Sequence, residues 1–88
     1  MNVRIDKSFE KDTKKIKDKK LLEKIADTIA QVQACIDSVE IKNLKKLKGT
    51  DRYYRIRMGV YRIGLSIEEN TVDFIRVLPR KDIYKHFP

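Results

Sequence analysis

The sequence is poor in the residues from which many sites are built. Its one cysteine, Cys35, rules out an internal disulfide and a multi-cysteine zinc site, and its place within a helical pattern marks it as a small core or boundary residue. The only histidine, His86, lies close to the chain end, so a proton carrier of the usual kind is available at one position alone. Gly49, Gly59 and Gly64 do not make a Gly-rich phosphate loop. No metal-ligand cluster and no Ser/His/Asp set can be assembled either. Nucleotide hydrolysis, metal catalysis and acyl transfer therefore have no support, and any chemistry must run on Arg, Lys, Tyr or His. No apolar run approaches the roughly 20 residues of a membrane helix, and no basic start leads into a long apolar stretch. A cytoplasmic protein without membrane attachment is expected, and no internal repeat or low-complexity segment interrupts it.

What the chain has in quantity is positive charge. Lys and Arg number 21 against 13 Asp and Glu, a formal charge of +8 over 88 residues. That length allows a single domain over residues 1–88 with a modest core, since a chain of this size buries only about two-thirds of its unfolded surface. The charge excess points to polyanions, because it raises the local concentration of phosphate-bearing ligands and speeds their capture. The plain alternative is a charged, solvated surface with no ligand.

Val3 and Ile5 alternate within 2–6, which suits a first strand. Asp6 or Ser8 is placed to cap a helix carrying Phe9, Thr13 and Ile16 at helical spacing, and Lys17 to Lys20 read as its frayed end and a turn. From Leu22 the apolar positions Leu22, Ile25, Ile29, Val32, Ile36 and Val39 step by three and four, the stripe of an amphipathic helix. Two helices joined by a short polar turn predict an antiparallel hairpin laid on a sheet. Residues 42–49 read as a basic loop anchored by Leu44 and Leu47. Three runs with strand character follow, at 53–58, 61–67 and 71–78, and read as an antiparallel meander. Pro79 ends the last strand, and Arg80 to Phe87 is a charged tail with room for one helical turn. The expected class is α+β: an N-terminal strand, a helical hairpin, a three-stranded antiparallel meander packed on the helices, and a short C-terminal helical turn.

A two-residue turn at Gly59 and Val60 sets the register of the first hairpin. Met58 then faces Tyr61, Ile56 faces Ile63 and Tyr54 faces Leu65, so one side is wholly apolar and belongs to the core. On the other side Arg57 opposes Arg62, Arg55 opposes Gly64 and Tyr53 opposes Ser66. Directly opposed like charges are destabilising, and no acid lies on that side of the hairpin to offset them. Forked guanidinium donors on a rigid sheet match phosphate oxygens, and Gly64 is expected to leave room for close approach. Splaying of the arginines into water is the competing explanation. Arg80, and Tyr84 four residues later, overhang this side if the tail is helical. Lys45, Lys46, Lys48, Arg52, Lys81 and Lys85 are candidates for a basic rim that contacts the same anionic ligand.

The residues Tyr54, Arg55, Ile56, Arg57, Gly59, Tyr61, Arg62 and Ile63, then Arg76, Val77, Arg80, Asp82 and Tyr84, with a Leu47-Lys48-Gly49 lead-in, resemble the RelE and ParE toxin superfamily over nearly the whole chain. The resemblance implies a RelE-like, microbial-ribonuclease type of fold. In the RelE branch it implies a toxin that enters the ribosomal acceptor site and cuts messenger RNA there without a metal or other cofactor. Carried over, the catalytic set is Arg55 and Arg57 in the places of two family lysines, Arg62, and the C-terminal pair Arg80 and Tyr84. A guanidinium stays protonated and is a poor proton acceptor, so Tyr84 becomes the acid or base candidate, with His86 in reserve. Pro79 stands where some relatives carry a histidine. The resemblance also implies a RelB-like antitoxin that wraps the toxin in a hetero-oligomeric complex. A ParE-like inhibitor of DNA gyrase with no nuclease chemistry is the first alternative. A nucleic-acid-binding module or decayed toxin is the second.

Overall fold

In the computed structural model, which describes all 88 residues, the chain runs β1 (Asn2–Ile5), α1 (Lys7–Lys15), α2 (Lys19–Ala34), a 3₁₀ turn (Ser38–Glu40), β2 (Leu44–Lys46), β3 (Tyr53–Met58), β4 (Tyr61–Glu68), β5 (Thr71–Pro79) and α3 (Arg80–His86). The class is α+β, as the periodicities predict. The strands form one sheet in the order β1-β5-β4-β3-β2, with β1 parallel to β5 and the other neighbours antiparallel.

The meander of β3, β4 and β5 is the centre of this sheet, and its first hairpin has the predicted register at every pair from Met58 and Tyr61 to Tyr53 and Ser66. Gly59 supplies the positive φ of 59° at the turn. Alternation then sends Ile56, Ile63 and Leu65 to one face, where they join Val72, Phe74 and Val77 of β5, Phe9 of α1, and Ile25 and Val32 of α2 in a single buried cluster. Phe9 and Phe74 meet at 5.7 Å between ring centroids and a tilt of 57°, a favourable aromatic geometry.

Three expectations are corrected. The sheet has five strands where three in a meander and a separate first strand were read, because β1 pairs with β5 and because Leu44–Lys46, read as loop, pairs with β3 as an edge strand. Leu44 is half-buried against the core while Lys45 and Lys46 stay exposed. The second helix stops at Ala34, so Ile36 and Val39 do not extend its stripe: they are 85% and 88% exposed. Asp37 accepts from Val39 N–H at 3.1 Å, and the Glu40 carboxylate accepts from Asp37 N–H at 3.3 Å and also from Ile36 N–H at 2.7 Å. This capping box starts a new turn and ends the old one. The same helix begins earlier than read, at Lys19, because Asp18 accepts from Lys20 and Leu21 N–H at 3.0 and 3.3 Å. At the head of α1, Asp6 occupies the cap position without a capping hydrogen bond, and Ser8 Oγ lies 2.6 Å from both Asp6 Oδ2 and Ile75 O, its one proton shared between these two acceptors.

Those contacts seal a sheet edge. β1 covers β5 only as far as Phe74, and beyond it α1 takes over. Asp6 N–H donates to Phe74 O at 2.9 Å. The buried Asp12 carboxylate accepts Val77 N–H at 3.0 Å and forks with Arg76 at 2.8 and 3.1 Å. Ladder groups that an open edge would expose are thereby paired. The β4–β5 register shifts between Gly64 and Leu65, leaving Ile75 as an extra residue beside Arg76. A bulge of this kind re-aims neighbouring side chains, here next to the Asp12 fork.

Candidate nucleic-acid interface

The face of the sheet opposite the core carries Arg55 and Arg57 from β3 and Arg62 from β4, in the predicted alternation. Above it lies α3, whose first residue is tied down by Arg80 N–H donating to Val60 O at 2.7 Å. One helical turn separates Arg80 from Tyr84, which places both over the sheet. Two clefts open beside Tyr84. One, of about 400 Å³, is lined by Lys45, Lys46, Lys48, Arg55, Tyr84 and Phe87 among others. The second, of about 710 Å³, is lined by Gly59, Val60, Arg62, Pro79, Arg80, Lys81 and Tyr84. Neither cleft has an Asp or Glu in its lining.

Arg62 is the buried member of the group, 8% exposed. Its Nη1 donates to Gly59 O at 2.7 Å and Tyr61 O at 2.8 Å. Burial first, then the charges of Arg55, Arg80 and Arg57, push its guanidinium down from the ordinary arginine value, with Tyr84 acting in the opposite direction. Arg55 donates to Asn43 O at 3.0 Å. The opposed charges of the hairpin are thus eased by backbone carbonyls and not by carboxylates, which leaves the cluster's net charge unneutralised. A cation so crowded gains from an arriving anion.

The predicted residues do not all converge. Arg55, Arg62, Arg80 and Tyr84 do, and Lys45, Lys46, Lys48 and Lys81 join the cleft walls. Arg57 is exposed and borders a different depression, lined also by Lys24, Asp27, Thr28 and Gln31 of α2. Arg52 pairs with Glu68 at 3.3 Å and lies over the Tyr53 ring at 5.1 Å, outside both clefts. Lys85 and His86 are exposed and line neither cleft. The room expected over Gly64 is filled: a Cβ built there would lie 2.7 Å from the ring of Phe87. Phe87, read as tail, is 4% exposed and belongs to the site. Two signals pointed to it, a glycine inside a central strand and an apolar pair, Ile83 and Phe87, at helical spacing in a charged segment.

The chain is thus an α+β domain with helices α1 and α2 on one side of its sheet and, under α3 on the other, basic clefts without Asp or Glu in their linings. Comparison with known proteins gives the family. The model for the ParE toxin of the parDE type II toxin-antitoxin system matches residues 3–84. Toxin RelE3 of Methanocaldococcus jannaschii is 40% identical over 89 residues, spanning 100% of both chains. A chain in the RelB-RelE antitoxin-toxin complex from Methanococcus jannaschii superposes with a TM-score of 0.80 at 40% identity, covering 97% of this chain and 99% of that one. One in the archaeal RelE-RelB complex from Pyrococcus horikoshii gives 0.74 at 22% identity, covering 93% and 97%, a likeness of fold. The chain belongs to the RelE and ParE superfamily of toxins of type II toxin-antitoxin systems.

Proposed function

We propose that the chain is a metal-independent endoribonuclease that cuts messenger RNA on the ribosome and is silenced by a RelB-like antitoxin. The observation that carries this reading is the convergence of Arg55, Arg62, Arg80 and Tyr84 around two clefts whose walls hold no Asp or Glu side chain. Such a surface accepts a phosphodiester and repels nothing in it. In the reaction, a ribose 2′-oxygen attacks the adjacent phosphorus, the 2′-proton passes to a base, the bond to the 5′-oxygen breaks, and that oxygen takes a proton. The products are a 2′,3′-cyclic phosphate and a 5′-hydroxyl. Arg62 and Arg80 stabilise the charge that grows on the phosphorane, which is the role suited to permanently charged, forked donors. Arg55 holds the neighbouring phosphate from the Lys45 side. Tyr84, between the clefts, handles a proton; His86, outside both, is the weaker candidate. The silencing partner is drawn from the relatives, whose structures are antitoxin-toxin complexes.

Purified chain incubated with ribosomes programmed with a defined message tests this directly. Cleavage within the message, leaving new 5′-hydroxyl ends and 2′,3′-cyclic phosphates, is expected. An intact message overturns the reading.

A second reading is favoured by the name of the matching family model: inhibition of DNA gyrase by docking, without chemistry. Gyrase supercoiling slowed by the chain, with messages intact, would establish it.

A further inference from the structure

Phe87 lies one residue beyond α3, with its ring on the outer face of β4. A Cβ at Gly64 would sit 2.7 Å from both Cδ2 and Cγ of that ring and 2.9 Å from Cδ1, distances that carbon atoms do not tolerate. No residue but glycine admits the ring in this pose. Tyr53 closes the socket from the side, with ring centroids 5.6 Å apart and planes at 86°, the edge-to-face arrangement that aromatic pairs prefer. Four residues earlier Ile83 is fully buried. α3 has seven residues, far short of the roughly 12 to 15 an isolated helix needs, so its anchors decide whether it forms at all. At its N-terminal end the anchor is the Arg80–Val60 hydrogen bond, and at its C-terminal end it is Phe87. Tyr84, 56% exposed, stands between them.

We propose that Phe87 is a positioning residue: its ring, seated in the socket that Gly64 leaves, fixes α3 so that the Tyr84 phenol stands between Arg55 on one side and Arg62 with Arg80 on the other. The inference rests on the ribonuclease reading for its catalytic consequence, but not for its structural one. Gly64 serves as a socket for the ring, and substrate phosphate binds to either side of it.

Two substitutions attack the contact from opposite sides. Phe87→Ala removes the ring, and Gly64→Ala fills the socket. In either variant the backbone order parameters of α3, measured by ¹⁵N relaxation, should fall from about 0.85 to below about 0.6 while those of β4 and β5 hold. With α3 loosened, kcat for message cleavage should drop about 100-fold, the effect of misplacing a catalytic group by an ångström, with KM changed less than about threefold. Phe87→Leu, which keeps apolar bulk, should restore part of kcat. The double variant should be no slower than the worse single, because one contact cannot be lost twice. An α3 that stays ordered in Phe87→Ala overturns the proposal. So does a loosened α3 with undiminished kcat, or losses that multiply in the double variant. Gly64→Ala lies mid-sheet, and if it fails to fold, Phe87→Ala and Phe87→Leu decide alone. A wild-type chain that cuts no message overturns the functional reading instead, and the order parameters still determine whether Phe87 holds α3.

Discussion

Tyr84→Phe is expected to slow message cleavage by about 10²- to 10⁴-fold, the range contributed by a positioned acid or base, or about 3 to 5 kcal/mol of transition-state stabilisation. The substitution removes one oxygen from a ring that is 56% exposed, so thermal stability should stay within about 0.5 kcal/mol of wild type. The expected pattern is a fall in kcat with KM nearly constant, measured on a programmed ribosome. The control matters because a tyrosine over a basic cleft can also stack on a base, and phenylalanine keeps that contact. Unchanged cleavage by Tyr84→Phe would leave the residue a stacking platform and pass the proton to another group. Arg62→Ala gives the companion measurement. Loss of a charge-stabilising donor costs about 10²- to 10³-fold, but Arg62 also ties down Gly59 O and Tyr61 O. Arg62→Lys, which keeps charge without the fork, separates the two roles by restoring turn stability more than rate.

The largest effect on stability is expected at Asp12, far from the clefts. Its carboxylate is 4% exposed, forks with Arg76 and accepts Val77 N–H. Asp12→Ala leaves a half-buried guanidinium and a buried amide donor unpaired at once, and breaking a buried pair in this way costs about 3 to 5 kcal/mol. A domain of 88 residues has in total only about 4 to 13 kcal/mol to lose. The urea midpoint should therefore fall well below wild type, and toward the low end of that range much of the chain should be unfolded at growth temperature. Toxicity would fall with it, through loss of folded protein. A midpoint equal to wild type would show that the α1 contacts to Phe74 and Ile75 seal the β5 edge without Asp12.

How much of this was legible depended on the range of the interactions involved. The β3–β4 register could be read because alternation, a glycine turn and an apolar row agree within fourteen residues of chain. From it followed the arginine face and the residues beneath α3. The Asp12–Arg76 fork spans 64 positions, and nothing local marks Asp12 as different from the exposed acids around it. β2 is three residues long, too short for a period to show. The continuation of the α2 stripe through Ile36 and Val39 was a coincidence of spacing, and the Asp37 and Glu40 caps that end it compete with the periodicity in the same few residues. Gly64 was read correctly as a place of close approach, but the approaching group came from the chain's own C-terminal segment. Sequence spacing cannot distinguish a socket for a ring from an opening for a phosphate.

If this basic face performs chemistry on messenger RNA, inducing the chain in a bacterium without its antitoxin and mapping the 5′ ends of cellular transcripts will reveal it. New ends inside translated reading frames, absent when Arg62→Ala is induced to the same level, are the predicted result. Growth arrest with no new ends, in wild type and variant alike, would contradict it.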